Sequence, residues 1–168
     1  SVPIERLVRE RFAGEVWGLN ADGQVVPARV VNWFRSIAVG QKWLVIRRSG
    51  EKDHARGLTV TPCHEICTPD RGKVRAYALR EGDLIYSEER LLDLDEKQAI
   101  LGTIRALAVP VESITPWIPP SSHPQRATRY CLQTTTGNFL TGFGFVGNSG
   151  YYDALVTEQW LGVTPKHQ

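Results

Sequence analysis

Residues Gly137 to Val156 read GNFLTGFGFVGNSGYYDALV. An apolar, glycine-rich run typical of a β-strand leads directly into Asn148-Ser149, and a second apolar run follows. The Asn148 side-chain amide can reach the following carbonyl carbon, and the Ser149 hydroxyl can accept an acyl group. Asn and small polar residues also form turns, because they tolerate positive φ. The dipeptide therefore marks either a self-cleavage site or a turn between two strands.

Most of the chain around this stretch has β character. The runs GEVWGL, QVVPARVVNWF, KWLVIRR and GLTVTP are rich in Val, Ile and Trp and are bounded by turn residues. The segment VRAYALREGDLIYS predicts a strand, a turn at Gly82-Asp83 and a second strand, and Ile4–Arg9 suits one short helical turn. Short irregular strands without alternating helices predict an all-β domain, closed or disc-like.

Residues 88–125 differ from the rest of the chain. The run LLDLDEKQAILGTIRALAV places apolar residues at helical spacing, and WIPPSSHPQ is a proline-rich loop. We interpret residues 88–125 as a small helical insertion in the β-domain.

Composition excludes several classes of protein. The 168 residues fit one domain, and a net charge of +2 lacks the basic excess of a nucleic-acid binder. Three cysteines form no disulfide framework, and neither a membrane-length apolar run nor a signal peptide is visible. We expect a soluble, cytoplasmic monomer that binds neither nucleic acid nor membrane. The absence of methionine suggests a processed piece, a split half or an artificially delimited chain.

The sequence TPCH, from Thr61 to His64, closes a β run. A hydroxyl and an imidazole at this spacing can hold one peptide unit from two sides. His64 would donate a proton to the leaving nitrogen, and Thr61 would support the carbonyl oxygen. The alternative is an ordinary surface turn, because so short a motif recurs by chance.

The cysteines suggest two further sites. Cys63, His64 and Cys67 could begin a zinc site, but no fourth ligand lies at a suitable spacing, so we expect no metal and no cofactor. Cys131 lies in the strand-like run RYCLQ. A small buried thiol is the expected interpretation there, and a catalytic thiol is the alternative.

The order of these motifs resembles that of the inteins, the self-splicing domains of the Hedgehog/intein (Hint) fold. PIERLV, GLTVTPCHEI, LREGDLIY, RYCLQTTTGNF and GFGFVGNS each resemble an intein block, in the family's order. Only the insertion lacks a counterpart, apart from a faint likeness of EKQAILGTIRALA to a homing-endonuclease helix, too short to cut DNA. The resemblance implies a disc-like Hint β-domain whose insertion is an endonuclease remnant or a linker.

The opening block of an intein is absent before Ser1, but SGYYDALVT, from Ser149, resembles it, with Ala154 replacing the usual Thr. Residues 1–148 would then be the C-terminal portion of an intein. Residues 149–168 would be its N-terminal segment in permuted order, or a fused split half. Alternatively, residues 149–168 are a flanking C-extein. We favour permutation, because a foreign flank has little reason to begin S-x-x-x-D-A-L-V.

The resemblance also implies a mechanism and a set of site residues. Ser149 is the nucleophile of an N-to-O acyl shift, Thr61 and His64 activate the peptide bond, and Asn148 cyclises to a succinimide. Cys131 stands where relatives often carry Asp and is expected to modulate the reaction. The implied activity is a single-turnover protein splicing or cleavage, with flanking exteins or a complementary split-intein fragment as partners.

Several residues depart from the family pattern. Gly147 and Gly137 stand where many inteins carry histidines that assist Asn cyclisation. Some inteins use Cys at the position of Cys131 as nucleophile, but their companion Trp and Thr are replaced here by Ile66 and Val146. A non-catalytic β interaction module, in which Asn148-Ser149 is only a turn, is the alternative function.

Overall fold

A computed structural model describes residues 2–37, 42–49, 57–87, 105–118, 128–141, 144–147 and 162–163. Short β-strands dominate these residues. The single α-helix among them is α1 (Ile4–Arg9), as the sequence predicted, and it buries Ile4, Leu7 and Val8. No helix in the described part of the chain is long and apolar enough to cross a membrane.

The strands form three sheets. The first, in the order β1-β13-β11-β12-β6-β7, contains β1 (Val2–Pro3), β13 (Gly162–Val163), β11 (Asn138–Thr141), β12 (Gly144–Gly147), β6 (Glu65–Thr68) and β7 (Gly72–Arg75). The second, β10-β3-β2, contains β10 (Thr128–Thr134), β3 (Val25–Ile37) and β2 (Glu15–Leu19). The third, β5-β4-β9-β8, contains β5 (Leu58–Val60), β4 (Trp43–Arg48), β9 (Leu107–Trp117) and β8 (Leu84–Ser87).

One hydrophobic core joins the sheets. Apolar side chains from α1 and from strands of all three sheets form the main buried cluster, which includes Val16, Ile46, Leu58, Phe139 and Val146. A smaller cluster, with Leu19, Cys67 and Phe145, lies beside it. The three sheets and their shared core confirm the all-β fold expected from the sequence.

Two local predictions are corrected by the structure. In VRAYALREGDLIYS the first strand ends at Arg75, and Ala76–Ala78 form a 3-10 helix instead. The predicted turn at Gly82-Asp83 is confirmed, since Gly82 has a φ of +89°. The helical pattern expected through residue 109 is wrong at its end, because residues 107–109 open β9, which pairs with β4 and β8.

The remainder of that helical pattern, residues 91–104, lies outside the described residues, as do residues 119–127 of the proline-rich loop. Residues 105–118 of the interpreted insertion are described, and β9 among them lies between β4 and β8 in the third sheet. The interpretation of residues 88–125 as an insertion, and the division at residue 148, stay predictions.

Candidate active site

The T-x-x-H motif forms a tight turn between β5 and β6. The His64 N–H donates to the Thr61 carbonyl at 3.1 Å. Pro62 takes the second position, where its fixed φ favours such a turn. Thr61 is 0% and His64 only 3% exposed. The alternative of an ordinary surface turn is therefore wrong for these two side chains, which belong to the interior of the domain.

The backbone of this turn is held from the side by the residues that follow β7. The Ala76 N–H donates to the His64 carbonyl at 2.8 Å, and the Tyr77 N–H donates to the Pro62 carbonyl at 2.9 Å. These bonds fix the Cα positions from which the Thr61 and His64 side chains project. A preorganised site of this kind loses little entropy when it engages a peptide bond.

The Thr61 hydroxyl is a conspicuous polar group in this interior. Its Oγ1 atom is buried and has no hydrogen-bond partner among the described residues, and Nε1 of Trp43 is in the same condition. A buried hydroxyl without a partner costs about 1–3 kcal/mol, and native structures contain few of them. Thr61 therefore keeps hydrogen-bonding capacity for a group beyond the described part of the chain.

Strand β12 brings the C-terminal motif to the same place. Val146 pairs with Ile66, and a Cβ built on Gly147 would lie 3.0 Å from Cβ of Glu65. Glu65 directly follows His64, and Gly147 directly precedes Asn148. The T-x-x-H turn and the residues leading to Asn148 therefore converge at one end of the β12–β6 pair. Asn148 and Ser149 themselves lie outside the described residues.

Cys131 lies on β10 opposite Phe34 and is 0% exposed. Its thiol donates to the Leu132 carbonyl at 3.4 Å. It belongs to the same core cluster as Ile66 and Val146. The interpretation as a small buried thiol is confirmed, and a modulating role in catalysis stays a prediction.

The two cysteines of the CHEIC stretch differ in their surroundings. Burial raises the pKa of the Cys67 thiol to about 12, opposed by the positive charge of Lys73 and reinforced by the negative charge of Glu65. Cys67 therefore stays protonated at neutral pH, whereas Cys63 is partly exposed. No group of three or more His, Cys, Asp and Glu side chains among the described residues could hold a metal ion.

Asn138 is a structural residue of the site that the sequence analysis missed. Its side chain is 7% exposed and acts as a substitute strand partner for Leu19. Oδ1 accepts from the Leu19 N–H at 2.6 Å, and Nδ2 donates to the Leu19 carbonyl at 3.1 Å. Asn138 also pairs with Gly147 across β11–β12. It thus ties the strand next to the candidate cleavage site to β2.

Lys73 is the second residue that the sequence analysis missed. Its Nζ donates to the Gly137 carbonyl at 2.5 Å. A Cβ built on Gly137 would lie 3.0 Å from that Nζ, and one built on Gly147 would lie 3.3 Å from Cδ of Lys73. Lys73 therefore occupies the space beside both glycines, the two positions where the resemblance implied histidines.

A cleft of about 400 Å³ opens on this side of the molecule. Its lining includes Leu19, Cys67, Lys73, Tyr86 and Asn138. The volume falls within the range of ordinary ligand pockets. The cleft therefore borders Lys73 and Asn138.

Solved structures of inteins resemble the chain over most of its length. A mutant of a variant of the Ssp DnaB mini-intein has a TM-score of 0.61 at 22% identity, covering 89% of this chain and 89% of its own. The transcription factor IIB Mvu mini-intein has a TM-score of 0.60 at 20% identity, covering 80% and 71%. A bacterial intein-like domain from Clostridium thermocellum has a TM-score of 0.55 at 18% identity, covering 93% and 86%.

No protein-family model and no curated protein sequence matches the chain. The likeness is one of fold, since sequence identity is low in every case. The chain therefore has the Hedgehog/intein (Hint) fold, in the form found in mini-inteins.

Proposed function

We propose that this chain is an autoprocessing domain of the intein kind, which breaks the peptide bond between Asn148 and Ser149 and, with suitable flanks, splices protein segments. One observation carries the proposal. The buried Thr61–His64 turn lies one residue from Glu65, and Glu65 faces Gly147, the neighbour of Asn148. The likeness to solved mini-inteins supports the same general activity.

The first step of the proposed reaction is an acyl shift. Oγ of Ser149 attacks the carbonyl carbon of Asn148, the C–N bond breaks, and the departing nitrogen takes a proton, leaving an ester. The Thr61 hydroxyl is free to donate to the carbonyl oxygen as it becomes negative, and the His64 imidazole supplies the proton to the nitrogen.

The second step is cyclisation of asparagine. Nδ2 of Asn148 attacks its own carbonyl carbon, the bond to Ser149 breaks, and the proton lost by Nδ2 is balanced by one gained by the leaving group. The fragment of residues 1–148 then ends in a succinimide, and residues 149–168 leave with a free amino terminus. Because Ser149 fills both junction roles here, this chain by itself can cleave but cannot ligate.

The permuted arrangement receives support from β13. Val163 pairs with Val2 and with Thr141, and Gly162 pairs with Pro3. A foreign flank has no reason to enter the central sheet between β1 and β11. We therefore propose that residues 149–168 are an integral segment of the domain, and that its natural partners are flanking exteins or a complementary fragment.

Intact mass over time tests the proposed function. The chain should be made in a cell-free system, so that time zero is known, and sampled at neutral pH beside an Asn148→Ala variant. We expect a fragment of residues 1–148 that is lighter by one water than the free acid, and no such fragment from the variant. An unchanged mass in the wild-type chain would contradict the proposal and favour the non-catalytic β interaction module.

Hydroxylamine separates the two steps, because it cleaves esters and leaves ordinary amides intact. In Asn148→Ala the acyl shift remains possible while cyclisation does not. We expect hydroxylamine to cleave this variant at residue 148, and an additional Ser149→Ala substitution to abolish that cleavage. Cleavage that persists without Ser149 would contradict the role of its hydroxyl.

A further inference from the structure

We propose that Lys73 is the cation that promotes cyclisation of Asn148, an assignment that rests on the proposed cleavage. Lys73 lies on β7, opposite Cys67, and its side chain extends across the sheet to the ends of β11 and β12. Its Cδ lies 3.3 Å from where a Cβ of Gly147 would be. Gly147 is bonded to Asn148, so the ammonium lies close to the backbone that leads to the reacting bond.

The surroundings hold the Lys73 side chain in this direction. The Gly137 carbonyl accepts one of its N–H groups at 2.5 Å, and Gly137 presents that carbonyl from a turn with a φ of +81°. An ammonium has three donors, so two remain for other acceptors. Lys73 is thus oriented by one hydrogen bond while its charge stays available.

Both glycines pack closely against the Lys73 side chain. A side chain at position 137 would begin 3.0 Å from Nζ, and one at position 147 would begin 3.0 Å from Cβ of Glu65 and 3.3 Å from the lysine stem. With either side chain, Lys73 would have to shift by a few tenths of an ångström. Gly137, Gly147 and Lys73 therefore pack as a group, in which the lysine side chain fills space that side chains at positions 137 and 147 would enter.

The positive charge of Lys73 acts on the neighbouring Cys67 thiol. Burial is the main influence on the neighbouring Cys67 thiol and raises its pKa, but the ammonium of Lys73 acts against that rise. The cleft beside it is also lined by Lys73. An anion that develops in this region would meet the positive charge of Lys73, set against the negative charge of Glu65.

Cyclisation of asparagine develops such an anion. When Nδ2 attacks, the carbonyl oxygen of residue 148 becomes negative in the tetrahedral intermediate, and a placed N–H donor with positive charge stabilises it. Lys73 keeps its proton throughout, so the balance of the step is unchanged. The acyl shift develops negative charge on the same oxygen, to which the Thr61 hydroxyl also donates, so Lys73 and Thr61 act on one atom.

Substitution of Lys73 tests the proposal. Lys73→Met keeps the apolar stem and removes the charge, Lys73→Arg keeps a cationic donor, and Arg71→Met is the control on the same hairpin, where it removes only a surface ion pair with Asp83. We expect Lys73→Met to slow succinimide formation about tenfold to a hundredfold, Lys73→Arg to restore most of the rate, and the control to match wild type.

A chemical rescue separates catalysis from structure. Ethylammonium should accelerate cleavage by Lys73→Ala in a saturable way, whereas tetramethylammonium, which has charge but no N–H donor, should not.

The possible outcomes distinguish this proposal from the proposed function. Wild-type cleavage with a normal rate in Lys73→Met overturns the role of Lys73 alone. Slow cleavage in Lys73→Met that neither arginine nor ethylammonium restores also overturns it, in favour of a structural role. A wild-type chain that never cleaves overturns both.

Discussion

At the scale of single residues, the Thr61 hydroxyl is the most informative group. It is fully buried, and its oxygen has no partner in the described part of the chain. A purely structural threonine would have been satisfied by its neighbours. An unsatisfied hydroxyl beside a candidate reaction centre is better explained by a substrate group that it binds.

Replacing Thr61 with valine separates these interpretations. Thr61→Val should leave the free energy of unfolding unchanged or raise it by about 1 kcal/mol, because an unpaired buried hydroxyl is removed. The hydroxylamine-sensitive ester in the Asn148→Ala background should form about a hundredfold more slowly, since one oxyanion donor is lost. Denaturant unfolding and mass spectrometry measure the two effects.

Thr59→Val provides a matched control, because Thr59 is a buried threonine on β5, the strand that leads to Thr61. Its ester formation should equal that of the parent chain. A Thr61→Val variant that unfolds easily but reacts normally would show that Thr61 serves the fold and not the chemistry.

Cys67 predicts a pH dependence of stability. In the unfolded chain its thiol loses a proton near the ordinary cysteine pKa of 9.0, whereas burial keeps the folded thiol protonated up to about 12. Between these values the unfolded state binds fewer protons, so the free energy of unfolding falls as the pH rises. Urea unfolding from about pH 8 to about pH 10.5 should show this fall, and Cys67→Ala should show a shallower one. Equal slopes would contradict the assignment.

At the scale of elements, Asn138 holds two strands that do not pair through their backbones. Its amide completes both hydrogen bonds of Leu19, and so links β11 to β2. Leu19 ends β2, and Asn138 begins β11 opposite the last residue of β12. The position of the candidate cleavage site therefore depends on one buried amide.

Removal of this amide should lower the free energy of unfolding. Asn138→Leu leaves two buried backbone groups of Leu19 without partners, so we expect a loss of about 2–4 kcal/mol in the free energy of unfolding. Asn32→Ala, on an exposed position of β3, should change it by less than about 0.5 kcal/mol. Denaturant unfolding measures both, and equal effects would show that the Leu19 bonds contribute little.

The elements that the sequence predicted well were those with a strong local signal. The helix at Ile4–Arg9 and the strands around Trp43–Arg48 follow apolar spacing and β-branched composition, which act within a few residues. β6 was missed because EICT is short, and the strand predicted at the start of VRAYALREGDLIYS matches only Val74 and Arg75 of β7. β6 becomes a strand by pairing with β7 and with β12. β9 was taken in part for a helix because tertiary pairing overrides local spacing.

The residues of the candidate site also divide into those with a local sequence signal and those without one. Thr61, His64 and Cys131 were named as candidate site residues because the order of the sequence motifs pointed to them. Lys73 and Asn138 carry no such signal, since a lysine on a hairpin and an asparagine after Gly137 read as surface and turn residues. Only the pairing of distant strands brings them to Gly147. The roles assigned to Asn148 and Ser149 stay predictions.

At the scale of the whole molecule, the place of β13 decides between permutation and a flank. If residues 149–168 are an integral segment, the fragment released by cleavage should remain bound to residues 1–148, because β13 pairs with β1 and β11. Native mass spectrometry should then show the sum of the two fragments, and denaturing mass spectrometry should show them apart. Release of the fragment under native conditions would favour a flanking extein.

The pairing of β12 with β6 also determines when the proposed cleavage at Asn148 can begin. Glu65 and Gly147 meet only through a contact between distant parts of the chain, and such contacts form late and slowly. During synthesis, the T-x-x-H turn leaves the ribosome long before its partner strand exists. If the proposed cleavage at Asn148 takes place, its bond therefore stays an ordinary peptide bond until β12 has paired with β6, and folding delays cleavage until translation has passed the junction.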